Sequence, residues 1–213
     1  MPLAESEPPR DCALCPRLVA LREEVRADYP LWWNAPVPAW GDPAAWLALV
    51  GLAPGKHGAH RTGRPFTGDG AGDLLFPALI EAGLARGAYG GEAEDGLALQ
   101  GAMILNAVKC LPPANKPIRA EFAACSRYLS AQLDALPALQ VVVAIGKDAH
   151  DALLRQHGLT LSRHKFAHGA VHDLPDGTRL IDSYHCSRYN VNTGRLTLAM
   201  FVDVLRQAIA LHR

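Results

Sequence analysis

The residues that could do chemistry collect in three stretches and one scattered set of cysteines. The first stretch is GLAPGKHGAHRTGRPFTGDGAGD, from Gly51 to Asp73, which holds Lys56, His57, His60, Arg61, Arg64 and Asp69 among seven glycines. Glycine lets backbone approach a ligand closely, and the cations suit an anion such as a phosphate. No acid or base stands at its first turn, where Leu52 and Ala53 sit. The second stretch brings Asn106 and Lys109 up to Cys110; the third, Tyr184 to Arg195, reads YHCSRYNVNTGR. An amide such as Asn106 both donates and accepts, so it can read the edge of a base. A histidine such as His185 can hand a hydrogen bond to a developing anion, or can merely cap a strand.

Five cysteines divide as four plus one. Cys12 and Cys15 form a C-x2-C pair, Cys110 and Cys125 stand alone, and Cys186 lies far away in a polar segment. Four thiolates suit zinc or an iron–sulfur cluster. One close pair with two isolated cysteines differs from the two close pairs of a zinc ribbon, which favours a [4Fe–4S] cluster. Buried free thiols are the alternative. A site joining residue 12 to residue 125 would staple the N-terminal arm to the rest of the chain.

These residues need elements to position them. Apolar runs predict strands at about 46–51 (WLALVG), 102–107, 140–145 (QVVVAI) and 179–184. Helical spacing predicts helices at about 15–27, 71–84, 119–136, 147–157 and 194–212, with 166–174 alternating like a strand. Residues 1–11 read as a flexible lead, and residues 28–43, dense in proline and tryptophan, as an irregular packed wrap. Buried strands alternating with helices predict a three-layer α/β/α sandwich around a four-stranded parallel sheet, in a single domain. In open parallel sheets ligands bind beyond the carboxyl ends of the strands. All three stretches start at such ends.

The 213 residues are 49% hydrophobic and 20% charged, enough for one substantial core, with a formal net charge of zero. A nucleic-acid partner would therefore need a local basic face. The N-terminus has no signal-peptide pattern and no apolar run could span a bilayer, so a monomeric, cytoplasmic protein is expected.

GLAPGKHGAHRTGRPFTGD, NAVKC and HCSRYNVNTGRL, in this order, resemble the iron–sulfur, type B members of the uracil-DNA glycosylase superfamily, family 5. The resemblance spans Cys12 to the last helix. It implies the α/β/α fold, a [4Fe–4S] cluster on Cys12, Cys15, Cys110 and Cys125, and hydrolytic removal of uracil from DNA. Removal of hypoxanthine or xanthine, and association with the nucleoid, are implied with it. It further implies that His185 stabilises the leaving base. Asp69, whose alternative role is helix capping, would direct water or stabilise the sugar, with Asn190 as auxiliary. Phe66 would stack on the flipped base and Asn106 read it, with backbone at Gly51, Leu52 and His57 lining the pocket. Lys56, Arg61, Arg64, Lys116, Ser187, Arg188, Tyr189 and Arg195 are the candidate DNA contacts, Arg188 and Tyr189 being candidates to fill the gap left by the base. His60, where asparagine is frequent, and Cys186, where proline often follows the histidine, depart from the family pattern. A non-catalytic iron–sulfur nucleic-acid-binding protein on the same fold is the competing expectation, and a zinc-stapled phosphate-binding module a third.

Overall fold

A computed structural model describes residues 3–212. Its centre is a six-stranded sheet in the order β1-β5-β2-β6-β8-β7. The four middle strands, β5 (Ala102–Asn106), β2 (Leu47–Gly51), β6 (Val141–Ile145) and β8 (Arg179–Ser183), are parallel, as their near-continuous apolar sequences predict. Every residue of β2, β5 and β6 is buried, which only a sheet covered on both faces allows.

Alternate residues of these strands face opposite layers. Leu47, Leu49, Ile104, Val143 and Ile181 pack with α3 (Gly72–Glu81) and α7 (Leu198–Leu211). Ala48, Val50, Met103, Leu105 and Val142 pack with α4 (Arg119–Asp134) and α5 (Lys147–Gln156). The result is the expected three-layer sandwich.

The sheet is wider than four strands. β1 (Trp40–Gly41) and β7 (Val171–Asp173) add short antiparallel edges. Both are too short to leave an apolar run in the sequence. The 85–100 connector contains a small hairpin, β3 (Ala85–Arg86) with β4 (Ala98–Leu99). The predicted last helix is two: α6 (Arg188–Asn192) and α7, separated by Gly194 with φ +69°. Thr197 then caps α7, its hydroxyl accepting from the Met200 N–H at 3.2 Å.

The N-terminal lead is fastened down. One Glu7 carboxylate oxygen accepts from the Ala39 N–H at 2.9 Å and the other from Gln132 Nε2 at 2.7 Å. Partners at such sequence separations leave no local trace. α1 (Pro16–Asp28) follows, its Leu18 packed with Val108 and Cys125.

Register sets the working edge. Gly51 pairs with Asn106, and Ile145 with Ser183. The four parallel strands therefore end level, and the loops leaving them share one rim.

Candidate active site

That rim encloses a cleft of about 690 Å³. Its wall runs from Leu52 to His57, takes in Phe66 and Asp69, crosses Asn106, and closes on Gly146–Asp148 and His185. Phe66 is held by its backbone: φ is +56°, a conformation uncommon for a bulky residue. The ring lies over Gly51, where a Cβ would come within 2.5 Å of Cζ and 2.7 Å of Asn106 Oδ1. Gly51 itself is not part of the cleft wall. Its contribution is the absence of a side chain, which lets Phe66 and Asn106 stand together. Asn106 is buried at the end of β5 with its side chain on the cleft, and its backbone carbonyl accepts from Lys109 Nζ at 2.5 Å. Leu52 and His57 both line the cleft, so the first turn meets a ligand with apolar carbon and backbone.

His185 follows β8, its ring centroid 6.1 Å from that of Phe66. Burial lowers its pKa below the ordinary histidine value, against the pull of Asp69 and Asp148. A neutral imidazole can donate from one nitrogen only. Gly146, with φ +100°, lets the chain pass beside it: a Cβ there would sit 3.3 Å from His185 Cβ. Asp69 uses one oxygen to accept from the Ala71 N–H at 3.0 Å, turning the chain into α3. Its other oxygen lies against Gly55 and Gly58, where Cβ atoms would come within 2.8 and 2.1 Å. α3 begins at Gly72 with no side-chain cap, so Asp69 forms a turn and faces the cleft instead of capping the helix.

Asn190 lies differently from the auxiliary catalytic place expected of it. It is not part of the cleft wall, and its Nδ2 donates to the His185 carbonyl at 2.8 Å. Asn190 positions His185. Three groups that sequence reasoning passed over do reach the cleft: Lys147 and Asp148 in the first turn of α5, and Asn115 with φ +56°. The first two follow a strand's carboxyl end, the same signal that located the other loops. Asn115 had none beyond its neighbours Pro113 and Lys116.

A second, small pocket is lined by Cys12, Cys15, Cys110 and Cys125 with Leu14, Leu18, Pro36 and Lys109. All four cysteines are free thiols. Burial, then the neighbouring thiols, push Cys15 up to about 11; burial and Cys125 push Cys110 up to about 12. Four cysteines gathered on one pocket suit a bound metal centre, whose positive charge favours thiolates. Cys186 is elsewhere, fully buried in the apolar layer with α7, and is no ligand.

The chain has relatives of known family by sequence. A family model described as the uracil DNA glycosylase superfamily matches residues 38–209. The chain is 50% identical over 202 residues to the type-5 uracil-DNA glycosylase of Thermus thermophilus, covering 92% of each chain. It is 44% identical to the type-5 uracil-DNA glycosylase of Mycobacterium leprae, over 92% of this chain and 90% of that one. Similarity to the type-4 uracil-DNA glycosylase of Thermotoga maritima is lower, 33% over 66% of this chain and 64% of that one. The chain belongs to the uracil-DNA glycosylase superfamily. Its full-length likeness is to the type-5 enzymes.

In this glycosylase the candidate DNA contacts separate into two groups. Lys56, Ser187 and Arg188 line the cleft, Tyr189 is 73% exposed, and Lys116 and Arg195 are exposed. Arg195 also lies 4.6 Å over the Tyr184 ring. Arg64 is not a DNA contact. It is buried, its guanidinium bonded to Asp95 at 2.7 and 2.6 Å and stacked 4.8 Å from the Trp40 ring. That pair holds Asp95 well below the usual carboxylate range. Arg61 is half-committed, with Nη1 on Glu92 at 3.0 Å and Nε on the His57 carbonyl. The two carboxylates, Glu92 for Arg61 and Asp95 for Arg64, lie about thirty residues away, beyond the reach of motif reading. No described helix is long and apolar enough to cross a membrane.

Proposed function

We propose that this glycosylase excises uracil from DNA through Phe66, Asn106, Asp69 and His185, accepts other deaminated bases, and carries a [4Fe–4S] cluster on Cys12, Cys15, Cys110 and Cys125. One observation carries the reading: an aromatic ring, an amide, a carboxylate and a neutral imidazole converge on one cleft at the strand ends. Uracil turned out of the helix stacks on Phe66, and Asn106 bonds its N3–H and O4 edge. The bond from N1 to C1′ breaks, and its electron pair leaves with the base. His185 donates a hydrogen bond to the charge growing on O2. Asp69 faces the sugar, stabilises its positive charge and directs water to C1′. That water's oxygen bonds C1′ and the proton it loses neutralises the departed uracil anion, leaving an abasic site and free uracil. Lys56 and Arg188 hold flanking phosphates.

The proposal of a wider base range rests on the family resemblance. The apolar first turn, Leu52–Ala53, sets no acid against a different base edge. For the cofactor, the support is that Cys12, Cys15, Cys110 and Cys125 line one pocket as one close pair and two isolated cysteines, a spacing unlike the two close pairs of a zinc ribbon. The cluster's bound role would be to tie the N-terminal arm to Cys110 and Cys125. The protein acts as a monomer inside the cell, associating with the nucleoid through its DNA substrate.

Oligonucleotides carrying one uracil, hypoxanthine or xanthine each, assayed for base release, test the activity. Release of uracil but of neither purine would confine the reading to uracil; tight binding with no release would favour the non-catalytic binder. Iron and acid-labile sulfide measured on the purified protein test the cluster, and stoichiometric zinc without iron would sink it.

A further inference from the structure

Leu31 is 97% exposed. It sits at the tip of the turn between α1 and β1, where the Trp32 N–H donates to the Tyr29 carbonyl at 3.1 Å. This tip is not loose. Asn34 Nδ2 donates to the carbonyls of Tyr29 and Trp32, at 2.7 and 3.2 Å. The Trp33 N–H donates to the Arg61 carbonyl at 2.9 Å, and the Trp33 ring fills the space beside Gly63, where a Cβ would meet it at 2.7 Å. The turn and the glycine-rich loop are thus one fastened unit.

The tip also adjoins the cleft. Tyr29 and Trp32 stack with centroids 4.0 Å apart and planes 15° from parallel. Trp32 meets the His57 ring edge-on at 5.5 Å, and Lys56 Nζ lies 5.4 Å from the Tyr29 ring. Lys56 and His57 are wall residues of the cleft. An aliphatic side chain in water therefore stands on a turn whose two aromatic residues adjoin Lys56 and His57 of the cleft wall.

We propose that Leu31 is a wedge that enters the DNA base stack next to the flipped uracil, with Tyr29 and Trp32 supporting it and Lys56 on the adjacent phosphate. The inference rests on the uracil-excision reading of the cleft. Turning a base out leaves a gap and unstacks its neighbours; apolar side chains inserted at such steps hold them open. A rigid turn suits this, because little order is lost on insertion. A second copy of the chain is a poorer occupant. Stable protein interfaces bury about 800 Å² per partner, whereas this tip offers one leucine and a Tyr29 that is only 38% exposed. The cation beside it matches a phosphate.

Duplex DNA needs the wedge and single-stranded DNA, already unstacked, does not. Single-turnover uracil release by Leu31→Ser should fall about tenfold on duplex and stay at the wild-type rate on single strand. Leu31→Met, still apolar, should keep the duplex rate. 2-Aminopurine placed beside the uracil should brighten on binding wild type and much less with Leu31→Ser. Equal duplex rates for wild type and Leu31→Ser would overturn the proposal, as would equal losses on duplex and single strand. So would altered sedimentation of Leu31→Ser without a duplex defect. Wild type that releases no uracil from either substrate would defeat the excision reading instead, while the fluorescence comparison still decides the wedge.

Discussion

Gly51 and Phe66 are in such close contact that a single methyl group between them would reach 2.5 Å from the ring. Gly51→Ala must displace either Phe66 or Asn106, the two groups that the proposed function sets against the base. Overpacking of this kind costs about 1–3 kcal/mol. The expected outcome is a folded protein with uracil release reduced tenfold or more, the roughly tenfold corresponding to about 1.4 kcal/mol. Circular dichroism and a release assay on the same sample check it; wild-type activity in Gly51→Ala would show that the ring does not hold the substrate.

His185 and Asn190 act as a unit. The Asn190 amide holds the His185 carbonyl at 2.8 Å and stays out of the cleft. Removing a donor aimed at developing charge costs about 10²–10³ in rate, the loss expected for His185→Ala. Asn190→Ala should lose about tenfold through a misplaced His185. The double variant should be no slower than His185→Ala, because the coupling runs through one side chain. Additive losses would instead mean that Asn190 touches the substrate.

His60 is buried, and neither ring nitrogen has a partner among the described residues. Burial, then the charges of Arg22, Lys56 and Arg26, lower its pKa to about 4. Below its unfolded value of about 6.5 the unfolded chain takes up the proton first, so stability falls as pH drops toward 4, by up to roughly 3 kcal/mol. Denaturant melts between pH 7 and 4 should show this slope, and His60→Asn should flatten it. An unchanged slope would place the acid sensitivity elsewhere.

His150 and Asp182 form a buried pair under the other side of the site. His150 Nδ1 is 2.7 Å from Asp182 Oδ1 and its Nε2 is 2.9 Å from the His164 carbonyl oxygen. Both nitrogens face acceptors, so the ring is an imidazolium. Burial opposes that charge, but the Asp182 bond and charge outweigh it and the pKa is raised. The pair's stabilisation is therefore full below the unfolded histidine pKa and is lost as pH rises through the raised one. His172 Nε2 completes the cluster at 3.0 Å from Asp182. Asp182→Asn should cost about 3–5 kcal/mol by leaving the cation unpaired. Thermal melts of Asp182→Asn would contradict this if they matched wild type.

The sheet, its flanking helices and the rim where the loops meet were legible because each leaves a local pattern: apolar runs for β2, β5 and β6, and glycine-rich or polar sequence at their ends. What escaped is held by distant partners. Arg64 reads as a loop cation, yet Asp95 draws it inward. Residues 1–11 read as free, yet Glu7 is bonded to Ala39 and Gln132. Asn190 reads as a reacting group because it follows His185 so closely, and only three-dimensional structure shows its amide turned back onto that residue's carbonyl. The irregular 28–43 wrap was expected to pack, and residues 34–37 are buried; the turn at 28–31 is exposed, Leu31 most of all its large apolar residues.

The central claim is that the cleft holding Phe66, Asn106, Asp69 and His185 cuts the glycosidic bond of uracil. Single-turnover release of uracil from an oligonucleotide carrying one uracil, with wild type and His185→Ala side by side, tests it most directly. Wild type should give free uracil and an abasic site, and His185→Ala, still binding the oligonucleotide, a rate lower by about 10²–10³. Equal rates from the two proteins, or no release from wild type, would contradict it.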